Sequence, residues 1–127
     1  MTRVFIVEDE HMLRFFYTQI LEENGFEVAG TAKNGEEAVS MFKEFREKPS
    51  VILMDHRMPV KNGIDCFKEI LTIDDKIIVV FVSADSSIKK EELSLGVHSF
   101  KQKPFSIDYL ISNIKSALDS SKSVVIP

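Results

Sequence analysis

Apolar residues fall into two rhythms along this chain, short unbroken runs and stretches where they recur every three or four positions. Val4-Phe5-Ile6-Val7 is unbroken and β-rich, as a strand covered on both faces should be. Leu13, Phe16, Tyr17 and Ile20 then keep helical spacing up to Asn24-Gly25, a helix stop. Phe26 to Thr31 reads as a weaker, edge-like strand. Asn34 can cap a second helix, with Glu37 as its capping-box partner and Ala38, Met41, Phe42 and Phe45 as its inner face. That helix must close before Pro49. Val51 to Met54 forms a third strand running directly into Asp55.

A loop through Pro59 and Gly63 leads to a third helix with Ile64, Phe67, Ile70 and Leu71 facing inward. Ile77 to Val82 is the fourth strand. Ser86 to Leu95, carrying Lys89-Lys90-Glu91-Glu92, is a polar fourth helix ended by Gly96, and Ser99 to Gln102 is a short fifth strand. Ile107, Leu110, Ile111, Ile114 and Leu118 form an unbroken stripe on a fifth helix. The tail beyond has no periodicity.

Five strand-then-helix units predict an α/β fold with a parallel sheet and helices on both faces, because parallel neighbours need right-handed crossovers. In such sheets functional groups gather beyond the carboxyl ends of the strands, where strand order reverses. Strand one delivers Glu8 and Asp9 there, strand three Asp55, strand four Ser83 and strand five Lys103, while strand two delivers no charge.

The chain has 127 residues, which suits one domain, and with 44% hydrophobic and 28% charged residues it is too apolar for disorder. Its longest apolar run, Ile77 to Val82, is far too short to span a membrane, and no signal-peptide layout opens the chain. A cytoplasmic location is the default expectation. The single cysteine, Cys66, reads as a small packing residue of a reducing compartment. A net charge of −4 without a basic stripe argues against nucleic-acid binding. Neither His11 nor His56 has a second ligand at metal spacing, and His98 reads as a loop residue.

Three converging carboxylates repel unless one is protonated or a hard divalent cation joins them, and an oxygen-only set suits Mg²⁺, with Mn²⁺ as a substitute. Lys103 adds a point charge for a phosphate oxygen and Ser83 a hydroxyl donor. Together they describe a cradle for phosphoryl transfer onto Asp55, which stands alone at its strand end beside the Glu8-Asp9 pair.

With Glu8-Asp9, Asp55-His-Arg-Met-Pro59, Asn62-Gly63, Ser83-Ala84 and Lys103-Pro104-Phe105 each in order at a strand end, the chain resembles the receiver domain of two-component response regulators, in particular the free-standing chemotaxis type. The resemblance covers residues 3 to about 119, so residues 1–121 are expected to form the domain and 122–127 a tail or linker stub. It implies a three-layer flavodoxin-like sandwich with strand order 2-1-3-4-5. It also implies Asp55 as phosphoacceptor, with Asp9, Asp55 and the backbone carbonyl of Arg57 as Mg²⁺ ligands and Glu8 assisting. Ser83 and Lys103 would meet phosphoryl oxygens, the Lys103-Pro104 bond would be cis, and Phe100 would be the aromatic switch. The donor would be a histidine kinase or phosphotransfer protein. The reader would be an output protein or domain docking on the face from the fourth helix to the fifth. No separate substrate would be turned over. Ser at 83 departs from the commoner Thr, and Glu92 from a small apolar residue. Arg57 and Asp85 could pair over the phosphoryl group and hinder water.

A flavin-binding protein of the same fold would need a Ser/Thr/Gly-rich phosphate loop where this chain has Glu8-Asp9-Glu10. A dehalogenase-type phosphatase would need an acid where Arg57 stands, and a pseudo-receiver would lack one of the acidic or lysine positions.

Overall fold

The structure, a computed structural model, describes residues 2–55, 60–83, 99–102 and 107–120. Five parallel strands, β1 (Arg3–Val7), β2 (Glu27–Ala32), β3 (Val51–Asp55), β4 (Ile78–Ser83) and β5 (Ser99–Gln102), form one sheet in the order β2-β1-β3-β4-β5. Helices α1 (His11–Glu23), α2 (Gly35–Glu44) and α3 (Gly63–Leu71) and a C-terminal helix (Ile107–Ser120) complete the described elements. This is the flavodoxin-like α/β sandwich, and the order reverses between β1 and β3. The predicted fourth helix, with Glu92, and His98 lie outside the described residues, as does the 122–127 tail.

Two apolar layers hold the sheet. On one face Phe5, Val7, Ile52, Met54, Val79 and Phe81 meet Ala38 and Phe42 of α2 and Ile64, Phe67 and Ile70 of α3. On the other, Val4, Ile6, Leu53, Val80 and Val82 meet Tyr17, Ile20 and Leu21 of α1 and Leu110, Ile111 and Ile114 of the C-terminal helix. Alternate residues of β1, β3 and β4 thus serve opposite layers, which is why these strands read as continuous apolar runs. Cys66 is buried in the first layer, as its packing role required.

The inner stripe of α1 differs from the predicted one. Phe16 is 45% exposed, and Leu21 fills the core instead, beside Tyr17 and Ile20. Three- and four-residue spacing fits either set, and the crossing of α1 over the sheet chooses between them. The stop at Asn24-Gly25 holds: Gly25 takes φ 87°, and Phe26 N–H closes back on the Leu21 carbonyl at 3.0 Å. Because that closure uses Phe26, β2 starts at Glu27 and runs to Ala32 as an edge strand; β4 likewise sits one residue later than predicted, at Ile78–Ser83. The β1–β2 register shifts between Val4 and Phe5, whose partners are Val28 and Gly30, so Ala29 is an extra residue in β2.

Asn34 caps α2 by accepting the Glu37 N–H at 2.8 Å, but the Glu37 carboxylate returns to the Lys33 N–H at 3.3 Å, one residue earlier than in a regular capping box. The other end of α2 is held by Lys48, whose ammonium donates to the Phe42 carbonyl at 2.6 Å and the Phe45 carbonyl at 2.8 Å and lies over the Phe42 ring. Asn62 caps α3 through the Asp65 N–H at 2.9 Å.

Candidate functional site

The carboxyl ends of β1 and β3 are neighbours in the sheet, with Val7 opposite Met54. The next residue of each strand therefore brings an acid to the same rim. Glu8 extends β1 by donating its N–H to the Ala32 carbonyl at 3.0 Å, which draws its side chain to 2% exposure. Asp55 ends β3 at 5% exposure, and Asp9 lies outside them in solvent. One carboxylate oxygen from each of Glu8, Asp9 and Asp55 lies within 4.8 Å of the others.

Such a cluster is costly unless something joins it. Two buried carboxylates and one exposed give an oxygen-only set of three with an open outer side, which fits a hard divalent cation that keeps some of its waters. A second local feature is electrostatic. Burial, reinforced by the carboxylates of Glu8, Asp55 and Glu10, pushes the Tyr17 phenol far above its ordinary range, so it stays neutral beside the acids. Tyr17 was legible only as a core residue of α1, because nothing in linear spacing tells how close that turn comes to the strand ends.

The β1–α1 turn is tied down by its own residues. Glu10 N–H donates to Glu8 Oε2 at 3.2 Å. Arg14, one turn into α1, donates from one guanidinium nitrogen to the carbonyls of Glu8 at 2.8 Å and Asp9 at 3.0 Å. Its other terminal nitrogen sits 3.4 Å from Nδ1 of exposed His11, which therefore pairs with Arg14 and is not among the clustered acids.

The loop after Asp55 is anchored from the α2 side. Gly35 donates its N–H to the Lys61 carbonyl at 3.1 Å, and a Cβ at Gly35 would lie 2.4 Å from that oxygen. Lys61 also pairs with Glu69 of α3. Between these anchors and Asp55, Val60 takes φ 70° while 74% exposed, a left-handed conformation that costs a β-branched residue energy.

Of the other sequence-predicted site residues, Ser83 is the last residue of β4, its backbone opposite Gln102, and Phe100 lies in β5 opposite Phe81. That register puts the end of β5 at the rim carrying Asp55, which is itself opposite Val82. His56, Arg57, Asp85, Lys103 and Pro104 lie outside the described residues, and with them the expected Arg57 carbonyl, Lys103 ammonium and cis bond. Arg14 and Tyr17 are the residues near the acids that sequence reasoning missed.

Comparison with known proteins places this geometry. Residues 4–115 match the family described as the response regulator receiver domain. The chain is 43% identical over 105 residues to the chemotaxis protein CheY of Thermotoga maritima, covering 81% of this chain and 86% of that one. It is 41% identical over 107 residues to protein CcdB of Bacillus subtilis, covering 83% and 88%. Among solved structures, the complex of CheX with CheY, BeF3 and Mg from Borrelia burgdorferi aligns with TM-score 0.85 at 30% identity, covering 91% of this chain and 87% of that one. With five parallel strands in this order, an acid triad at the switch point and a family match over most of its length, the chain belongs to the response-regulator receiver domains of two-component signalling, of the chemotaxis type.

Proposed function

We propose that the chain is a phosphoacceptor that takes a phosphoryl group onto Asp55 from the phosphohistidine of a histidine kinase or phosphotransfer protein. The observation that carries this reading is the acid triad, with two of its three members withdrawn from solvent at one rim of the sheet. A carboxylate oxygen of Asp55 attacks phosphorus in line, the P–N bond to the donor imidazole breaks, and its electron pair returns to the ring nitrogen. Asp55 becomes an acyl phosphate. Water later attacks that phosphorus, and the aspartate is regenerated with release of inorganic phosphate. A bound Mg²⁺, or Mn²⁺ in its place, supplies charge neutralisation at the transferring oxygens.

The residues of the chain prepare and read this event. Glu8 and Asp9 hold the cation beside Asp55, with the Arg57 carbonyl as a further ligand. Lys103 and Ser83 meet phosphoryl oxygens, and Ser83 moves toward them. Phe100 follows that movement, which repacks the face formed by the fourth helix, β5 and the C-terminal helix for an output protein or domain. New charge and acceptor oxygens at Asp55 bias that two-state region. The chain turns over no separate substrate. It works in the cytoplasm without touching nucleic acid or membrane.

Intact-mass measurement after incubation with acetyl phosphate tests the reading. A single phosphoryl adduct is expected with Mg²⁺, none in EDTA and none on Asp55→Asn. An adduct that forms on Asp55→Asn, or without any divalent ion, sinks it.

A further inference from the structure

We infer that Arg14 is a positioning residue for the cation site, its guanidinium setting the pose of Glu8 and Asp9 from behind through their backbone carbonyls. This inference rests on the reading of the triad as a cation-binding phosphoacceptor site, and it deepens that reading.

Three consecutive carbonyls form the outer edge of the β1–α1 turn, and Arg14 binds all three. Its side chain takes those of Glu8 and Asp9 at 2.8 and 3.0 Å, and its backbone N–H takes that of Glu10 at 3.0 Å. The backbone of Arg14 is itself fixed within α1, where its own carbonyl accepts the Thr18 hydroxyl at 2.8 Å. The rigid helix therefore dictates where the two peptide planes of the turn lie. The Asp9 Cα–Cβ bond lies between these two peptide planes, and that of Glu8 lies between the first of them and the plane that its own N–H ties to the Ala32 carbonyl at 3.0 Å, so both carboxylates are aimed from fixed backbone.

The chemistry of arginine suits the task. A guanidinium has five donors in a planar fork and no acceptor, so it can serve neighbouring carbonyls without competing as a ligand. It also contributes a cation beside an acidic cluster. By pairing with carbonyl oxygens it leaves the carboxylate oxygens to the metal. In the same turn Glu8 Oε2 accepts the Glu10 N–H at 3.2 Å, a bond that reports the pose of the Glu8 side chain. Outer partners that orient metal ligands are worth about 10- to 100-fold in affinity, and a half-buried Arg14 acting through backbone belongs at about 10-fold.

Two readouts on Arg14→Met and Arg14→Lys test this. The first is Mg²⁺ affinity, from the rise in thermal midpoint on titration. The second is solvent exchange of the Glu10 amide by NMR in metal-free protein. Arg14→Met, which keeps the aliphatic stem, is expected to weaken Mg²⁺ binding about 10-fold and to speed Glu10 exchange several-fold, with the amides of Phe5 and Ile6 unchanged. Arg14→Lys, which keeps the charge but not the fork, should fall between. Unchanged Glu10 exchange or unchanged affinity in Arg14→Met overturns the inference, and so does full recovery in Arg14→Lys, which would assign the effect to charge alone. If the unmodified protein fails to bind Mg²⁺, the phosphoacceptor reading falls, and the Glu10 exchange arm still decides whether Arg14 positions the turn.

Discussion

Removing one charge from the acid triad should make the metal-free protein more stable. Glu8 and Asp55 are both nearly sealed from solvent, and their nearest oxygens lie no more than 4.8 Å apart. At an effective dielectric of about 20, two unit negative charges at that separation repel by about 3 kcal/mol. Asp9 is exposed, and its repulsion of Asp55 in a water-like environment is about 1 kcal/mol. Asp55→Asn keeps the shape and removes both terms. It also removes hydrogen-bond acceptance by the carboxylate, which offsets part of the gain. The expected net effect is a stabilisation of about 1–3 kcal/mol, or about 4 °C of thermal midpoint per kcal/mol for a domain of this size. Calorimetry at neutral pH in EDTA reads it directly. Titration with Mg²⁺ supplies the internal control, since the unmodified protein should gain about 2.7 kcal/mol at 100 times its dissociation constant while the variant, short of a ligand, gains less. The gap therefore closes or reverses with metal. An Asp55→Asn protein that melts below the unmodified one in EDTA would show that the triad is not held under repulsion, and the reasoning would fail at its first step.

Gly35→Ala should destabilise by about 1–3 kcal/mol in urea unfolding, because its Cβ would meet the Lys61 carbonyl oxygen at 2.4 Å and backbone must shift; phosphorylation by acetyl phosphate should slow as the loop after Asp55 moves. Alkali should unfold the protein through two buried acids. Burial pushes the Cys66 thiol from 9.0 up to about 12, so above pH 9 the unfolded chain gives up a proton that the folded one keeps. Stability then falls by about 1.4 kcal/mol per pH unit toward pH 12, and more steeply above pH 10 as Tyr17, also raised, joins. Between pH 9 and 10 the urea midpoint should fall in the unmodified protein and stay level in Cys66→Ala.

Most of the architecture was legible because it is local. The unbroken runs of β1, β3 and β4 mark strands buried on both faces, and Asn24-Gly25 and Asn34 are punctuation that works over a few residues. The site was legible for a different reason. A parallel sheet places successive strand ends on one rim, so Glu8, Asp9 and Asp55 must meet if the strands are right. What escaped depends on contacts through space. Phe16 and Leu21 compete for the same inner stripe, and only the seat of α1 on the sheet decides. Lys48 reads as a surface lysine until the end of α2 is seen to need a donor. Arg14 reads as an ordinary polar position on a helix, since nothing in its spacing tells that its side chain turns back over the carbonyls of the preceding turn.

The extra residue at Ala29 bears on behaviour in crowded solution. A strand with one neighbour leaves its outer backbone groups open, and a regular row of them is a template on which another extended chain can grow. In β2 that row is broken midway, because the register against β1 slips by one residue between Val28 and Gly30. An incoming strand could match the groups on one side of the break or on the other, but not both in a single alignment. The border of the sheet farthest from β5 is thereby guarded against fibril-like growth by backbone geometry, with no charged residue spent on the task between Val28 and Ala32.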